Sequence, residues 1–295
     1  MFAGHNSQTR RFSTTVNQMS PSTPEVVTVP RALSPSRASD FQQCPLLFRF
    51  RSIDKLPTAP SSAATRGTVV HAALEGLYDL PAPERTLEAA TALIEPSWQA
   101  VIAKDPEVAV VADDEGLGVW LEKARDLVGT YFAMEDPQRL EPTGRELFVQ
   151  TTLDSGLILR GFIDRLDVSP AGDVRIVDYK TGKSPNPRFQ DKALFQMRFY
   201  GLVLWRNDGV LPRQLKLMFL GDGRPVIDEP SADVLTATEN KIVAIWNDIE
   251  DRLNTGVFEP KTSKLCDWCD FQSLCPAFGG EPPLFPTITV GSPES

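Results

Sequence analysis

The sequence has no long apolar segment among its 295 residues. A helix that crosses a bilayer needs roughly 20 mostly apolar residues, so we expect no transmembrane helix and a protein in solution. Cysteine and histidine are also scarce, with four and two residues. Because we identify no secretory leader, so few cysteines argue against a scaffold held together by disulfides.

An excess of positive charge is missing as well, since the net charge is −9. Sequence-independent DNA binding depends on neutralising phosphates, so this charge argues against a DNA-coating protein. It does not argue against a nuclease, whose basic groove can be local and whose metal site needs carboxylates. Basic residues concentrate in Ser34–Thr68 and Arg175–Arg198, and acidic residues in Asp105–Asp136. Each run could equally be a solvated charged face.

The first part of the chain, Met1–Ser20, contains arginine, serine and threonine but no acidic residue. Organelle transit peptides share this composition. The segment lacks an amphipathic stripe, so we favour a disordered tail, or a true start at Met19, and expect a cytoplasmic bacterial protein. We predict disordered ends at residues 1–33 and 280–295 around one ordered domain at residues 34–279.

Hydrophobic periodicity along this domain changes from helix to strand and back. Helical spacing predicts helices from Ser34 through Cys44 to Leu47, after Thr68, and at Leu87–Ala103, Gly118–Met134, Phe189–Trp205 and Ala232–Asn254. Alternation predicts strands at Leu147–Leu153, Leu157–Val168, Val174–Tyr179 and Gln214–Leu220. This order indicates an α/β fold with helices packed on its sheet, and a helical insert at about residues 86–136.

Two aspartates and a lysine fall on two neighbouring strands of this prediction. Asp178 and Lys180 are two residues apart, so their side chains share one face of a strand. If a five-residue loop joins the strands, Val168 pairs with Val174, and Asp164 then faces Asp178 directly. Adjacent buried carboxylates repel unless a cation lies between them, and a hard ion such as Mg²⁺ prefers oxygen ligands.

Other polar residues surround this pair in the sequence. His71, one of the two histidines, lies in a predicted helix, where a single histidine is more often a core or surface residue than a ligand. Gln196 and Tyr200 are four residues apart and therefore share one helix face. Glu146 precedes the first strand of the hairpin.

Taken in order, His71, Gly161-x2-Asp164-x2-Asp167, Asp178-Tyr-Lys180-Thr-Gly and Gln196-x3-Tyr200 resemble the RecB-type nucleases of the PD-(D/E)XK superfamily. The resemblance covers residues from about 34 to 278 and implies a core of mixed sheet flanked by helices. It implies Mg²⁺ or Mn²⁺ binding by His71, Asp164 and Asp178, and phosphate or water activation by Lys180. It also implies that Gln196 and Tyr200 position the DNA backbone, with Glu75 and Glu146 as second-shell candidates.

All four cysteines can belong to one site if the chain ends meet. Cys266-x2-Cys269-x5-Cys275 is compact, whereas Cys44 lies about 220 residues earlier. A structural zinc site usually shows two close pairs of ligands, and here there is one. The pattern resembles the iron–sulfur nucleases related to AddB and the CRISPR-adaptation nucleases. This resemblance implies a 4Fe–4S cluster at residues 264–278, with Zn²⁺ or free cysteines as alternatives.

A cluster at this place would act as a structural clasp. It would close a very long loop and so reduce the entropy of the unfolded chain. It would also hold the first helix near Trp268 and Phe271, a surface suited to stacking single-stranded bases.

We therefore expect a metal-dependent DNA nuclease, an exonuclease on single strands or DNA ends, acting in repair or recombination with a helicase or repair complex as partner. Two other hypotheses stay open. One is a non-catalytic nucleic-acid-binding subunit of a repair or CRISPR-adaptation complex, which the intact Asp164, Asp178 and Lys180 argue against. The other is a zinc-stabilised interaction domain.

Overall fold

A computed structural model describes residues 26–291 of the chain. Its strands are β1 (Val26–Pro30), β2 (Ala32–Leu33), β3 (Gly144–Thr152), β4 (Ile158–Val168), β5 (Val174–Lys180), β6 (Gln214–Phe219), β7 (Arg224–Asp228) and β8 (Thr287–Gly291). Its α-helices are α1 (Pro35–Gln43), α2 (Pro45–Ser52), α3 (Ser62–Leu77), α4 (Leu87–Ala92), α5 (Ile94–Lys104), α6 (Leu117–Met134), α7 (Gln190–Asp208) and α8 (Ala232–Thr255). Short 3₁₀ turns occupy much of residues 264–278.

The main sheet is mixed, as the sequence predicts. Its strand order is β2-β4-β5-β6-β7, and β3 pairs with the other edge of β4. The pairs β2–β4 and β5–β6 are parallel, while β3–β4, β4–β5 and β6–β7 are antiparallel. The parallel pair β5–β6 is joined through α7, so the strand that carries Asp178 leads into the helix that carries Gln196.

Helices cover both faces of this sheet. Buried side chains of α1, α2, α7 and α8 form one core with one face. Those of α3, α4, α5 and α6 form a second core with Val177, Tyr179, Met218 and Leu220 on the opposite face. Alternation along β5 and β6 explains the division, because successive side chains point to opposite faces. None of the helices found in residues 26–291 is apolar over enough length to traverse a bilayer.

The ends of the described chain are ordered, which corrects the predicted tails. β1 and β2 lie within residues 26–33, and β8 lies within residues 280–295. β1 and β8 pair in parallel as a separate two-stranded sheet. Such a strand is stabilised by a partner more than 200 residues away, which local composition does not reveal. The remaining residues of both predicted tails, 1–25 and 292–295, lie outside the described chain.

The first predicted helix is in fact two. Pro45 has no amide hydrogen and disfavours helical geometry in the residue before it, so α1 ends there. Cys44 consequently adopts an extended conformation, with φ −161° and ψ 119°, between α1 and α2. The break separates Cys44 from regular helix, at the junction between α1 and α2.

Other boundaries also differ from the prediction. α3 begins at Ser62 with Ser61 as its cap, earlier than Thr68, and the predicted helix 87–103 divides at Leu93 into α4 and α5. Together with α6, these helices occupy the stretch predicted as an insert. β7 was not predicted, although the Asp222-Gly223 turn before it is a common hairpin signal.

Gly221 allows the ends of β5 and β6 to approach closely. A Cβ atom there would lie 2.7 Å from the backbone carbonyl of Gly182. We predict that Gly221→Ala lowers the free energy of unfolding by about 1–3 kcal/mol, because the backbone at Gly182 cannot move aside as a flexible side chain can. Gly129→Ala is the control: its Cβ would meet nothing within 4 Å in the middle of α6, so it should stabilise by about 0.5–1 kcal/mol. Urea unfolding compares the two, and parental stability in Gly221→Ala would contradict the packing.

Candidate active site

The register of β3, β4 and β5 arranges three carboxylates in one row. Val168 pairs with Val174, as predicted from the five-residue loop, and the same register continued along the strands sets Asp164 opposite Asp178. On the other edge of β4, the register with β3 sets Asp164 opposite Glu146. The hairpin prediction is confirmed in its register, and β3 adds a third acidic residue.

The backbone is irregular where these residues meet. Glu146 has a φ of 41°, a left-handed conformation that is costly for a residue with a side chain. Side chains two apart on a strand normally share a face. Here Ile163 packs in the core beneath α7, whereas Arg165 reaches Tyr131 of α6 on the opposite side. The strand therefore changes orientation at Asp164, and strain of this kind is typical of functional sites.

His71, on α3, completes a group with Glu146 and Asp164. One ligand atom from each of the three lies within 4.8 Å of the others. His71 Nε2 is 2.8 Å from the carbonyl oxygen of Tyr179. A carbonyl only accepts, so Nε2 carries the proton and Nδ1 presents a lone pair. That lone pair is 3.3 Å from Asp164 Oδ2, an unfavourable contact unless a cation or a proton lies between them.

The electrostatics of the group also favour a cation. Burial, followed by the Asp178 carboxylate, raises the pKa of Asp164 well above its ordinary range. Burial, followed by Glu75, raises the pKa of Glu146. Burial lowers the pKa of His71, which keeps the imidazole neutral and able to act as a ligand. Two oxygen donors and one nitrogen donor that together carry excess negative charge fit a divalent cation.

Asp178 faces a different set of partners. Its side chain is almost fully buried, with 3% exposed, and its Oδ2 lies 2.7 Å from Lys180 Nζ. Lys180 Nζ donates to Gln196 Oε1 over 2.9 Å, and Gln196 Nε2 donates to Asp178 Oδ1 over 2.8 Å. The three side chains form a closed ring that fixes the ammonium group. Oδ2 makes no conventional hydrogen bond despite its closeness to the ammonium, so it retains capacity for a further partner.

Tyr200 packs directly over Gly161, which explains the glycine of the Gly161-x2-Asp164 motif. A Cβ at position 161 would lie 2.7 Å from the Tyr200 ring and 3.2 Å from its hydroxyl oxygen. Burial raises the pKa of Tyr200 to about 12, so the side chain remains a neutral phenol. Tyr200 and Gln196 both line a groove that begins at the Asp178–Lys180–Gln196 ring.

Among the predicted site residues, Glu146 and Glu75 take different positions. Glu146 lies within the group of candidate ligands, closer to the centre than the second-shell position predicted for it. Glu75 lines the same cleft as His71 but lies outside that group. Asp167 belongs to the motif but points away, forming ion pairs with Arg165 and Arg175.

The four cysteines line one cavity between α2 and the C-terminal segment. Its walls are mostly apolar and include Leu46, Phe50 and Phe271. No three of the sulfur atoms lie within 4.8 Å of one another. A tetrahedral zinc site with Zn–S distances of about 2.3 Å would require sulfur atoms about 4 Å apart, so the spacing is wider than a zinc ion needs.

Backbone amides point at two of these sulfur atoms. Lys261 N lies 3.3 Å from Cys44 Sγ, and Ser263 N lies 3.4 Å from Cys266 Sγ. Phe271 is only 3% exposed and its ring lies 5.2 Å from that of Phe50. Phe271 is therefore part of the core and unavailable for base stacking, whereas Trp268 is 77% exposed.

Comparison with known proteins gives a family match over most of the chain. The family model described as the PD-(D/E)XK nuclease superfamily matches residues 32–276. The Gene 69 protein of Mycobacterium phage L5 is 24% identical over 288 residues, covering 83% of this chain and 96% of its own. The Gene 69 protein of Mycobacterium phage D29 is 24% identical over 274 residues, with the same coverage of 83% and 96%.

A solved structure shares the fold. The crystal structure of a "Putative exonuclease" from Eubacterium rectale superposes with a TM-score of 0.55 at 13% sequence identity. The match covers 81% of this chain and 87% of the other. At this identity the likeness concerns the fold.

The position of Glu146 leads to a metal-binding prediction. We expect Glu146→Gln and His71→Ala each to weaken Mn²⁺ binding by about tenfold or more, because each removes a donor from the group. Isothermal titration measures the affinity, and thermal unfolding checks that both variants fold. Glu75→Gln is the matched control, since it removes a carboxylate of the same cleft from outside the group. An equal loss in Glu75→Gln would mean that only the general negative potential matters.

Proposed function

The chain belongs to the PD-(D/E)XK nuclease superfamily and is a metal-dependent hydrolytic nuclease, and we propose that it cleaves DNA as an exonuclease on single strands or free ends. The observation that carries the proposal is the contact between His71 Nδ1 and Asp164 Oδ2, which lie 3.3 Å apart while His71 Nε2 is engaged by the carbonyl of Tyr179. A divalent cation resolves that contact, and the proposed ion is Mg²⁺ or Mn²⁺.

The proposed ligands are His71, Glu146 and Asp164, and Asp178 is proposed to contribute Oδ2, which makes no conventional hydrogen bond. When bound there, the ion would neutralise charge on the phosphate and make a water molecule more acidic. The carbonyl of Tyr179 orients the imidazole by accepting from Nε2, as the second shell of a metal site commonly does.

Lys180 is proposed to act on the phosphate. An ammonium group has three N–H donors. One donates to Gln196 Oε1, and the charge pairs with Asp178 Oδ2 at 2.7 Å. The remaining donor capacity is proposed to bind a phosphate oxygen or to hold the attacking water. Because the ring fixes Nζ before substrate arrives, no reorganisation is needed when negative charge develops in the transition state. Tyr200, a neutral phenol beside the groove, is proposed to position the DNA backbone with Gln196.

The cysteines support a second part of the proposal, namely that the chain belongs to the iron–sulfur branch of the superfamily. Four thiols around one apolar cavity, spaced more widely than a zinc ion needs, fit a 4Fe–4S cluster. Two amides directed at the sulfur atoms fit as well, since hydrogen bonds to thiolates are common at such clusters. The cluster would tie Cys44 to the C-terminal segment and would have a structural role.

The proposed setting is DNA repair or recombination, in a bacterial cytoplasm and with a helicase or repair-complex partner.

A non-catalytic nucleic-acid-binding subunit is the competing function. The complete Asp178–Lys180–Gln196 ring favours catalysis, because a chain without cleavage has no need to fix the ammonium group of a partly exposed lysine. Incubating anaerobically purified protein with end-labelled single- and double-stranded DNA and Mg²⁺ or Mn²⁺ tests the proposal. An inactive protein that binds DNA would favour the competing function.

Substitutions at the ring and the row of carboxylates should abolish cleavage. We expect Asp164→Asn, Asp178→Asn and Lys180→Met each to reduce the rate by at least about a hundredfold, because each removes stabilisation of transition-state charge. The readout is the initial rate of release of end label. Asp154→Asn, an exposed carboxylate at the other end of the β3–β4 hairpin, is the control and should retain activity. Full activity in any of the three site variants would refute its assignment.

Loss of one cysteine should have the same effect wherever it lies in sequence. We expect anaerobic protein to be brown with about four irons per chain, and Cys44→Ala to lose iron and protease resistance as completely as Cys269→Ala. Lys264→Ala, exposed in the same segment, should retain both. A colourless protein with one zinc would refute the cluster, and a Cys44→Ala variant that keeps its metal would refute the clasp.

A further inference from the structure

Part of the β4 strand has a neighbour on only one side. β2 pairs with β4 at Ile158 and Leu159, and β5 pairs with it only from Arg165 onward. Between these points neither strand pairs with β4, and Arg160, Gly161 and Phe162 line a groove of about 590 Å³. The start of α1 forms one wall, and Gln196 and Tyr200 form another. The groove therefore runs from the α1 N-terminus to the proposed catalytic ring.

Two phenylalanines lie in solvent at this groove. Phe148 of β3 and Phe162 of β4 are direct cross-strand partners, and their ring centroids are 5.3 Å apart. Phe148 is 51% exposed and Phe162 is 54% exposed. Burial of either ring would be favourable, so a pair left exposed beside a site indicates a binding surface. Glu146 lies two residues before Phe148 and Asp164 two residues after Phe162, about 7 Å along each strand.

Positive charge accompanies the aromatic pair. Arg160 lines the groove, and no acidic side chain within residues 26–291 lies within 4.0 Å of its guanidinium. Arg37 of α1 lies near it: burial, followed by the positive charge of Arg160, lowers the pKa of Arg37 to about 10. Two cations that repel each other, in a chain with a net charge of −9, would be stabilised by an anion in the groove.

We propose that this groove binds the unpaired end of the nucleic-acid substrate, with bases stacked on Phe148 and Phe162 and a backbone phosphate on Arg160. Aromatic rings can stack on the faces of unpaired bases, which a duplex keeps covered by neighbouring base pairs. A strand held there would lead its next phosphates toward the proposed metal ligands. The inference rests on the proposed function and adds to it the surface that selects single strands.

Binding measured without cleavage tests the surface separately from catalysis. The full-length protein is titrated against a fluorescein-labelled oligothymidine strand in Ca²⁺, and fluorescence anisotropy gives the Kd. We expect Phe148→Ala and Phe162→Ala each to weaken binding at least about fivefold, the lower end of what loss of a stacking ring costs. Arg160→Gln should weaken binding and reduce the slope of log Kd against log salt by about one. The substitutions should weaken the binding of the same strand in a duplex less than they weaken the binding of the single strand.

Phe189→Ala is the matched control, since Phe189 is an exposed aromatic residue that does not line this groove. It should bind the strand as the parent does. Photocrosslinking of a strand that contains 5-iodouracil gives a measurement on the unsubstituted protein, and the modified peptides should include Phe148 or Phe162. Crosslinking at Trp268 instead, or parental affinity in both phenylalanine variants, would overturn the proposal.

Two further outcomes separate the alternatives. If the parent binds the strand through the phenylalanines but never cleaves it, the proposed function fails and the binding surface stands. If the parent is a dimer that the phenylalanine substitutions convert to a monomer without weaker strand binding, the surface is a contact between copies of the chain and the proposal fails.

Discussion

Mutual repulsion among Glu146, Asp164 and Asp178 is the constraint around which the site is built. Pairing of three neighbouring strands forces these carboxylates into one row, and burial raises the cost of their charges. Two positions offset that cost. Lys180 pairs with Asp178 at one end of the row. At the other end, the lone pair of His71 Nδ1 can coordinate a cation. The proposed hydrolysis rests on this arrangement, in which an ion bound by the carboxylates would act together with the ammonium group of Lys180.

A buried arginine next to this row, on the side of the sheet covered by α3 and α6, keeps it in place. Arg165, adjacent to Asp164 in sequence, is 1% exposed and contacts the hydroxyl groups of Tyr78 and Tyr179 and the carboxylate of Glu135. These partners come from α3, β5 and the end of α6, so one buried guanidinium joins the helix that carries His71 to the sheet. Breaking a buried ion pair costs roughly 3–5 kcal/mol, so the pair with Glu135 makes Arg165 a strong constraint on the position of the end of α6.

The two ends of the described chain depend on each other in a similar way. β1 pairs with β8, and Phe48 of α2 stacks at 6.4 Å on Phe258 near the C-terminal segment. The four cysteines lie at this same junction. Since α1 forms one wall of the groove at β4, the junction also fixes the place where we propose that the strand enters. A cluster at the cysteines would therefore support substrate binding from a distance.

The sequence by itself determined the mixed α/β fold and the β4–β5 register, and from them it predicted that Asp164 and Asp178 are neighbours with Lys180 beside Asp178. These features follow from periodicity and loop length, which are local and depend on neighbouring residues in the chain. Tertiary structure alone decided the central position of Glu146, the pairing of β1 with β8, and the exposure of Phe148 and Phe162. Each of these depends on which distant segment covers a strand edge or face, and local sequence carries no record of that partner.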